Sequence, residues 1–125
     1  MSVPDGGVLM ALEAMVQQIR EAGAQAVAVV SRDGSVLAAD LPPNVSRETF
    51  SIMCATIHGA SMTVSNEIRR GAPKRITLDS PNGSVVIMEA GRRALVVVVL
   101  PEGSSPNDVN TWLPPLVERI ARETS

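Results

Sequence analysis

Ser46-Arg47-Glu48-Thr49-Phe50-Ser51-Ile52-Met53-Cys54-Ala55-Thr56-Ile57-His58-Gly59-Ala60-Ser61-Met62-Thr63-Val64-Ser65-Asn66-Glu67-Ile68 contains no proline, and apolar residues return along it at helical spacing. The pattern predicts a long helix from Ser46 to Gly71. Ser46 suits the N-cap, where a side-chain oxygen accepts from first-turn N–H groups, and Glu48 suits the positive end of the helix dipole. Advancing about 100° per residue, Phe50, Met53, Cys54, Ile57, Ala60, Ser61, Val64 and Ile68 fall on one side. Nearly opposite lie Ile52, Ala55, Gly59 and Met62, with Asn66 continuing the line. A helix that covers only a sheet carries charges on that second side. Here the second side is small and apolar, and the Ala55–Gly59 spacing lets another backbone come close. The helix is therefore expected to be covered from both sides, with Met62 facing a partner chain.

The flanking sequence supplies a sheet. Gln25-Ala26-Val27-Ala28-Val29-Val30-Ser31 and Val36-Leu37-Ala38-Ala39 bracket Arg32-Asp33-Gly34-Ser35, and Asp-Gly between apolar runs is a hairpin signal because glycine tolerates positive φ. Leu41-Pro42-Pro43 ends the second strand, since proline brings no N–H to a ladder. After the long helix, Lys74-Arg75-Ile76-Thr77-Leu78-Asp79 alternates as an edge strand does. Val85-Val86-Ile87-Met88 follows the turn at Ser80-Pro81-Asn82-Gly83. Ala94 to Leu100 is apolar on both faces, as in a central strand covered from both sides. Val8, Leu9, Leu12, Met15, Val16 and Ile19 mark a first helix from Gly7 to Ala22, starting after Pro4 or Asp5. Pro114-Pro115 fits only a first helical turn, so the last helix is expected over Leu113–Glu123 behind a separate short turn. The fold class is α/β, an α+β layered arrangement. Its order is α-β-β-α-β-β-β-α, with a largely antiparallel five-stranded sheet and helices on both faces.

The length of 125 residues fits one domain over 1–125. Eleven Lys+Arg against thirteen Asp+Glu leave a formal charge of −2, which argues against general nucleic-acid binding. Phe50 and Trp112 are the only aromatics, too few for a stacking platform. One cysteine, Cys54, and one histidine, His58, exclude disulfide frameworks and multi-cysteine metal sites. The start, Met1-Ser2-Val3-Pro4-Asp5-Gly6-Gly7, lacks the basic and apolar segments of a signal peptide, and Ala94–Leu100 is too short to span a bilayer. A cytoplasmic protein without direct membrane insertion is the expectation.

No phosphate-binding glycine motif is present, and no cofactor is expected. Cys54 and His58 are one helical turn apart, as a nucleophile and base could be. Cys54, however, lies with Phe50 and Ile57, where a thiol fills space, and His58 falls on a flank between the two apolar sides. Among carboxylates, Asp33 is explained by turn chemistry, Asp40 has no motif, and Asp79 and Glu89 are expected on solvated strand ends. Met15 and Met53 are expected in the core. No catalytic or metal-ligating residue is assigned. Arg69, Arg70, Lys74 and Arg75, joined by Arg92 and Arg93, form the one local concentration of cations. They can face an acidic partner protein, bind an anion, or bring an arginine to another protein's phosphate site; the blander reading, which we prefer from sequence, is cations suiting a helix C-terminus.

Three segments carry a resemblance: Ala26-Val27-Ala28-Val29-Val30-Ser31-Arg32-Asp33-Gly34-Ser35-Val36-Leu37-Ala38, Phe50 to Ala60, and Ala90-Gly91-Arg92-Arg93-Ala94-Leu95-Val96-Val97-Val98. Together with the order of elements, they resemble the roadblock family, named for a dynein light chain, and the second segment resembles archaeal members in particular. Pro114-Pro115 departs from the family's usual last helix. The resemblance implies a sheet with the long helix on one face and the terminal helices on the other. It also implies a homodimer in which middle helices pack together and third strands pair edge to edge. Ile52, Ala55, Gly59 and Met62, with Ile76 and Leu78 of the third strand, would then form the dimer interface. The implied function is a non-catalytic regulator or scaffold of a small Ras-like GTPase. A ligand-sensing domain of the PAS or GAF kind is the alternative, and it needs an apolar pocket with convergent polar groups.

Overall fold

The side chain of Asp5 accepts from the Val8 N–H at 2.9 Å and so caps the first helix, α1, over Gly6–Glu21. The computed structural model describes residues 5–125; Met1–Pro4, with the start of the lead-in and Pro4 as a helix boundary, lie outside the described residues. Strands β1 (Ala26–Ser31) and β2 (Val36–Asp40) form the expected hairpin. Helix α2 (Arg47–Glu67) follows, then β3 (Arg75–Ser80), β4 (Gly83–Ala90) and β5 (Ala94–Pro101). A 3-10 turn over Pro106–Thr111 precedes α3 (Leu113–Thr124), whose prolines occupy its first turn. The five strands run in the order β2-β1-β5-β4-β3, every neighbouring pair antiparallel.

The alternation of side chains along a strand divides the apolar residues between two layers. Val27, Val29, Val86, Val96 and Val98 point toward α1 and α3, where Leu12, Ile19, Leu113 and Ile120 are fully buried. Ala28, Val30, Ile87, Leu95 and Val97 point toward α2, where Cys54 joins them. β1 is buried along its whole length, and β5 from Ala94 to Val98. The second layer is thin. Phe50, Ile57, Ile76 and Val85 pack against it and stay partly open.

Two expectations about α2 are corrected. The helix ends at Glu67, not at Gly71. Arg69 N–H donates to Asn66 O at 3.0 Å and Arg70 N–H to Ser65 O at 2.8 Å, which closes the last turn with Arg69 at φ 58°. The buried stripe is also rotated from the expected one. Ser51, Cys54 and His58 are the buried residues of the helix, so the inward face runs between the two sides read from periodicity. Met53, Val64 and Ile68, expected against the sheet, are 50%, 63% and 60% exposed. The cause is the residue at the centre of the stripe. His58 is polar and therefore invisible to an apolar periodicity, yet a part-buried acceptor in the sheet draws it inward.

Candidate functional site

That acceptor is Glu89, near the end of β4. His58 Nε2 lies 2.8 Å from Glu89 Oε1, with the His58 side chain buried and Glu89 about a quarter exposed. Arg32, in the β1–β2 turn, places Nη1 3.4 Å from the same oxygen, and its Nη2 donates to Gly91 O at 2.7 Å. Its backbone N–H donates to Arg93 O at 3.2 Å, and its Nη1 also lies 3.8 Å from Met62 Sδ. One carboxylate thus ties α2, the β1–β2 turn and the β4–β5 turn together. Glu89 was expected on a solvated strand end and His58 on a flank between the two apolar sides; Glu89 lies near that end but only about a quarter exposed, and His58 is buried between those sides. No local signal in the sequence joins Glu89 to His58, which lies 31 residues away.

The other candidates separate. Cys54 is buried, and burial pushes its thiol up to about 11, because a thiolate loses its hydration there. At neutral pH that thiol is protonated and a poor nucleophile. Asp33 is engaged in the turn: the Ser31 hydroxyl donates to it, and the Ser35 N–H donates to Oδ1 at 3.1 Å. These bonds hold its carboxyl well below the usual carboxylate range. Asp40 pairs with Arg20 Nε at 3.0 Å, while Asp79 accepts from the Ser84 hydroxyl at 3.3 Å. Asp79 stands opposite Ser84, at the far end of β4 from Glu89, so those two carboxylates do not meet. Among the described residues, no group of three or more His, Cys, Asp and Glu is placed to hold a metal, and no helix is long and apolar enough to cross a membrane.

The six residues expected at a dimer interface are not equivalent. Ile52 is half exposed and lies over the hairpin turn, its Cα 3.0 Å from where a Cβ on Gly34 would stand. Gly59 is exposed, with open space around it. Ala55 and Met62 are half-buried, Ala55 against the core and Met62 beside Arg32. Ile76 is half-buried and Leu78 is 39% exposed on edge strand β3. Besides Ile52, the large apolar side chains exposed on α2 are Met53, Val64 and Ile68. Of the cations, Arg69, Arg70 and Lys74 are exposed, whereas Arg75 donates to Asn110 Oδ1 at 2.7 Å and Asn107 Oδ1 at 3.1 Å. A groove of about 710 Å³ opens along edge strand β2 between α1 and the first turn of α2.

A family model described as Roadblock/LC7 domain matches residues 10–100. The uncharacterized protein MJ0714 of Methanocaldococcus jannaschii is 29% identical over 92 residues, covering 70% of this chain and 78% of its own. Among solved structures, the gliding protein MglB of Thermus thermophilus superposes with a TM-score of 0.87 at 19% identity, over 97% of this chain and 93% of that one. A Roadblock/LC7 domain from Streptomyces avermitilis gives a TM-score of 0.81 at 11% identity, over 90% and 96%. At such identities these two structures share the fold.

Proposed function

The chain belongs to the Roadblock/LC7 domain family, and from that premise we propose that residues 1–125 act as one unit, a homodimer that regulates or scaffolds a small Ras-like GTPase without catalytic residues of its own. The observation that carries the dimer is the thin second layer. Met53, Val64 and Ile68 expose apolar surface on α2, and Leu78 does so on the same face of β3, whose outer edge is unpaired among the described residues. An open strand edge beside apolar surface invites pairing. A second copy would cover both at once by a self-complementary contact. Ile76 and Leu78 stay in the proposed interface, and on α2 the weight moves from Ala55 and Met62 to Met53, Val64 and Ile68.

A GTPase partner follows from the family resemblance. The dimer would present a composite surface that favours one arrangement of the partner's switch loops, and so shifts its population. The test is capture from a lysate of the source organism on immobilised protein, with a non-hydrolysable GTP analogue or GDP added. Enrichment of a Ras-like GTPase in one nucleotide state is the expected result. Enrichment independent of nucleotide leaves a scaffold, and reproducible absence of any GTPase with folded bait removes the reading.

A further inference from the structure

The net charge of −2 conceals a segregation of charge. Strand registers place Arg75 opposite Met88, Ala90 opposite Ala94, and Ser31 opposite Ala94. The start of β3, the β4–β5 turn and the β1–β2 turn therefore share one end of the sheet. α2 runs out over the same end, since His58 reaches Glu89 and Met62 reaches Arg32. Arg32, Arg69, Arg70, Lys74, Arg75, Arg92 and Arg93 lie there, seven of the eleven cations in the chain. Asp33, Glu67, Glu89 and Asp108 of the thirteen carboxylates accompany them, Asp108 lying between the two asparagines that hold Arg75, and Asp33 and Glu89 are engaged within the chain. This end carries a formal +3 (seven minus four) and the rest of the chain −5 (four minus nine).

Two features go beyond cations decorating a helix end. The first is bracing: Arg75 is held by Asn107 and Asn110, and Arg32 by Glu89 and Gly91. The second is strain. Arg69 sits at φ 58°, the position closing a helix where glycine is favoured, and it is the one non-glycine residue with positive φ among those described. A side chain there costs stability that glycine would not. The sequence keeps a cation at that cost, next to Arg70 and Gly71.

We propose that this end of the sheet is a docking surface for an acidic patch on a partner protein, and, resting on the reading above, that the GTPase is that partner. Six of the seven cations are arginine, whose planar guanidinium matches carboxylates in two-bonded geometry. The field of the charged end also steers an acidic partner toward it and makes association salt-dependent. The surface borders the proposed dimer contact at Ile68 and Ile76, while Arg32, Arg92 and Arg93 stand at the hairpin turns away from the β3 edge.

The experiment measures affinity for the captured GTPase with wild-type protein and with R69E/R70E, R92E/R93E and R69G. R47E/R119E, at the start of α2 and on α3 beside Gln18, serves as a charge-matched control. Each double reversal at the sheet end weakens binding about tenfold or more, and the wild-type affinity falls as salt rises. The control binds as wild type does. Arg69→Gly separates a structural role from a docking one, because it raises the melting temperature while it weakens binding. Capture of the GTPase with equal affinity by all variants overturns the docking surface and leaves the regulator reading standing. A wild type that captures no GTPase removes both. Binding of the charged end to phosphatidylserine vesicles with unaltered GTPase affinity assigns the surface to a membrane and overturns the proposal.

Discussion

His58 shows how one polar residue sets the orientation of a helix. Its imidazole is buried against the sheet with Nε2 on Glu89, and the faces of α2 follow from that contact. His58→Ala removes the buried ring and leaves Glu89 with Arg32 alone, so unfolding free energy falls by about 2 kcal/mol in urea titration. Cys54, one turn earlier, gives a prediction with a defined sign. Its thiol pKa is raised to about 11 in the folded chain, so the native state holds a proton that the unfolded state releases above pH 9. Stability from this group is fully present below pH 9 and is lost as pH rises toward 11, on the order of 2 kcal/mol. Cys54→Ala flattens that alkaline decline, and the wild-type thiol reacts with a soluble disulfide reagent at pH 8 only as fast as the chain opens. Fast reaction in the folded state would contradict the burial. The inertness of Cys54 could be read from its apolar neighbours, but the role of His58 could not. Its partner lies 31 residues away on a strand, and no local pattern joins them.

At the scale of elements, local chemistry was a good guide wherever a turn or cap is decided by a few adjacent residues. Asp33-Gly34 makes the expected hairpin, with Gly34 at φ 94°. A Cβ at Gly34 would stand 3.0 Å from Ile52 Cα and Cγ1 of α2, so the turn also sets how closely the helix approaches. Gly34→Ala is expected to cost about 1–2 kcal/mol, measured by thermal unfolding, because strain and a close contact add. The prolines at 114 and 115 fall in the first turn of α3, where an absent N–H leaves no bond unmade. The rotation of α2 escaped the same method. Its apolar residues are spread so widely around the helix that periodicity fixed no single buried face, and Met53, Val64 and Ile68 were assigned inward although they face out. The end of α2 escaped it as well, since Arg69 adopts a conformation that composition assigns to Gly71.

The whole molecule is asymmetric in two respects that composition averages away. One layer of the sheet is deeply covered by α1 and α3, while the other is thin and continues into exposed apolar side chains on α2 and β3. Most of the cations stand at one end of the sheet and most of the acids elsewhere. Both asymmetries arise from the antiparallel register, which gathers residues far apart in sequence, and neither is visible in a net charge or a mean hydropathy. The thin layer is the feature on which the proposed function rests, so the direct measurement is the molar mass in solution by sedimentation equilibrium, for the wild type and for Val64→Glu. Val64 is 63% exposed in the chain alone, and a carboxylate there leaves the monomer fold intact while placing a charge in the proposed contact. The wild type should run at twice its 13.2 kDa at micromolar concentration and the variant at the mass of a single chain. A wild type that stays at 13.2 kDa across that range, or a variant that dimerises equally well, would contradict the assignment of this face to a second copy.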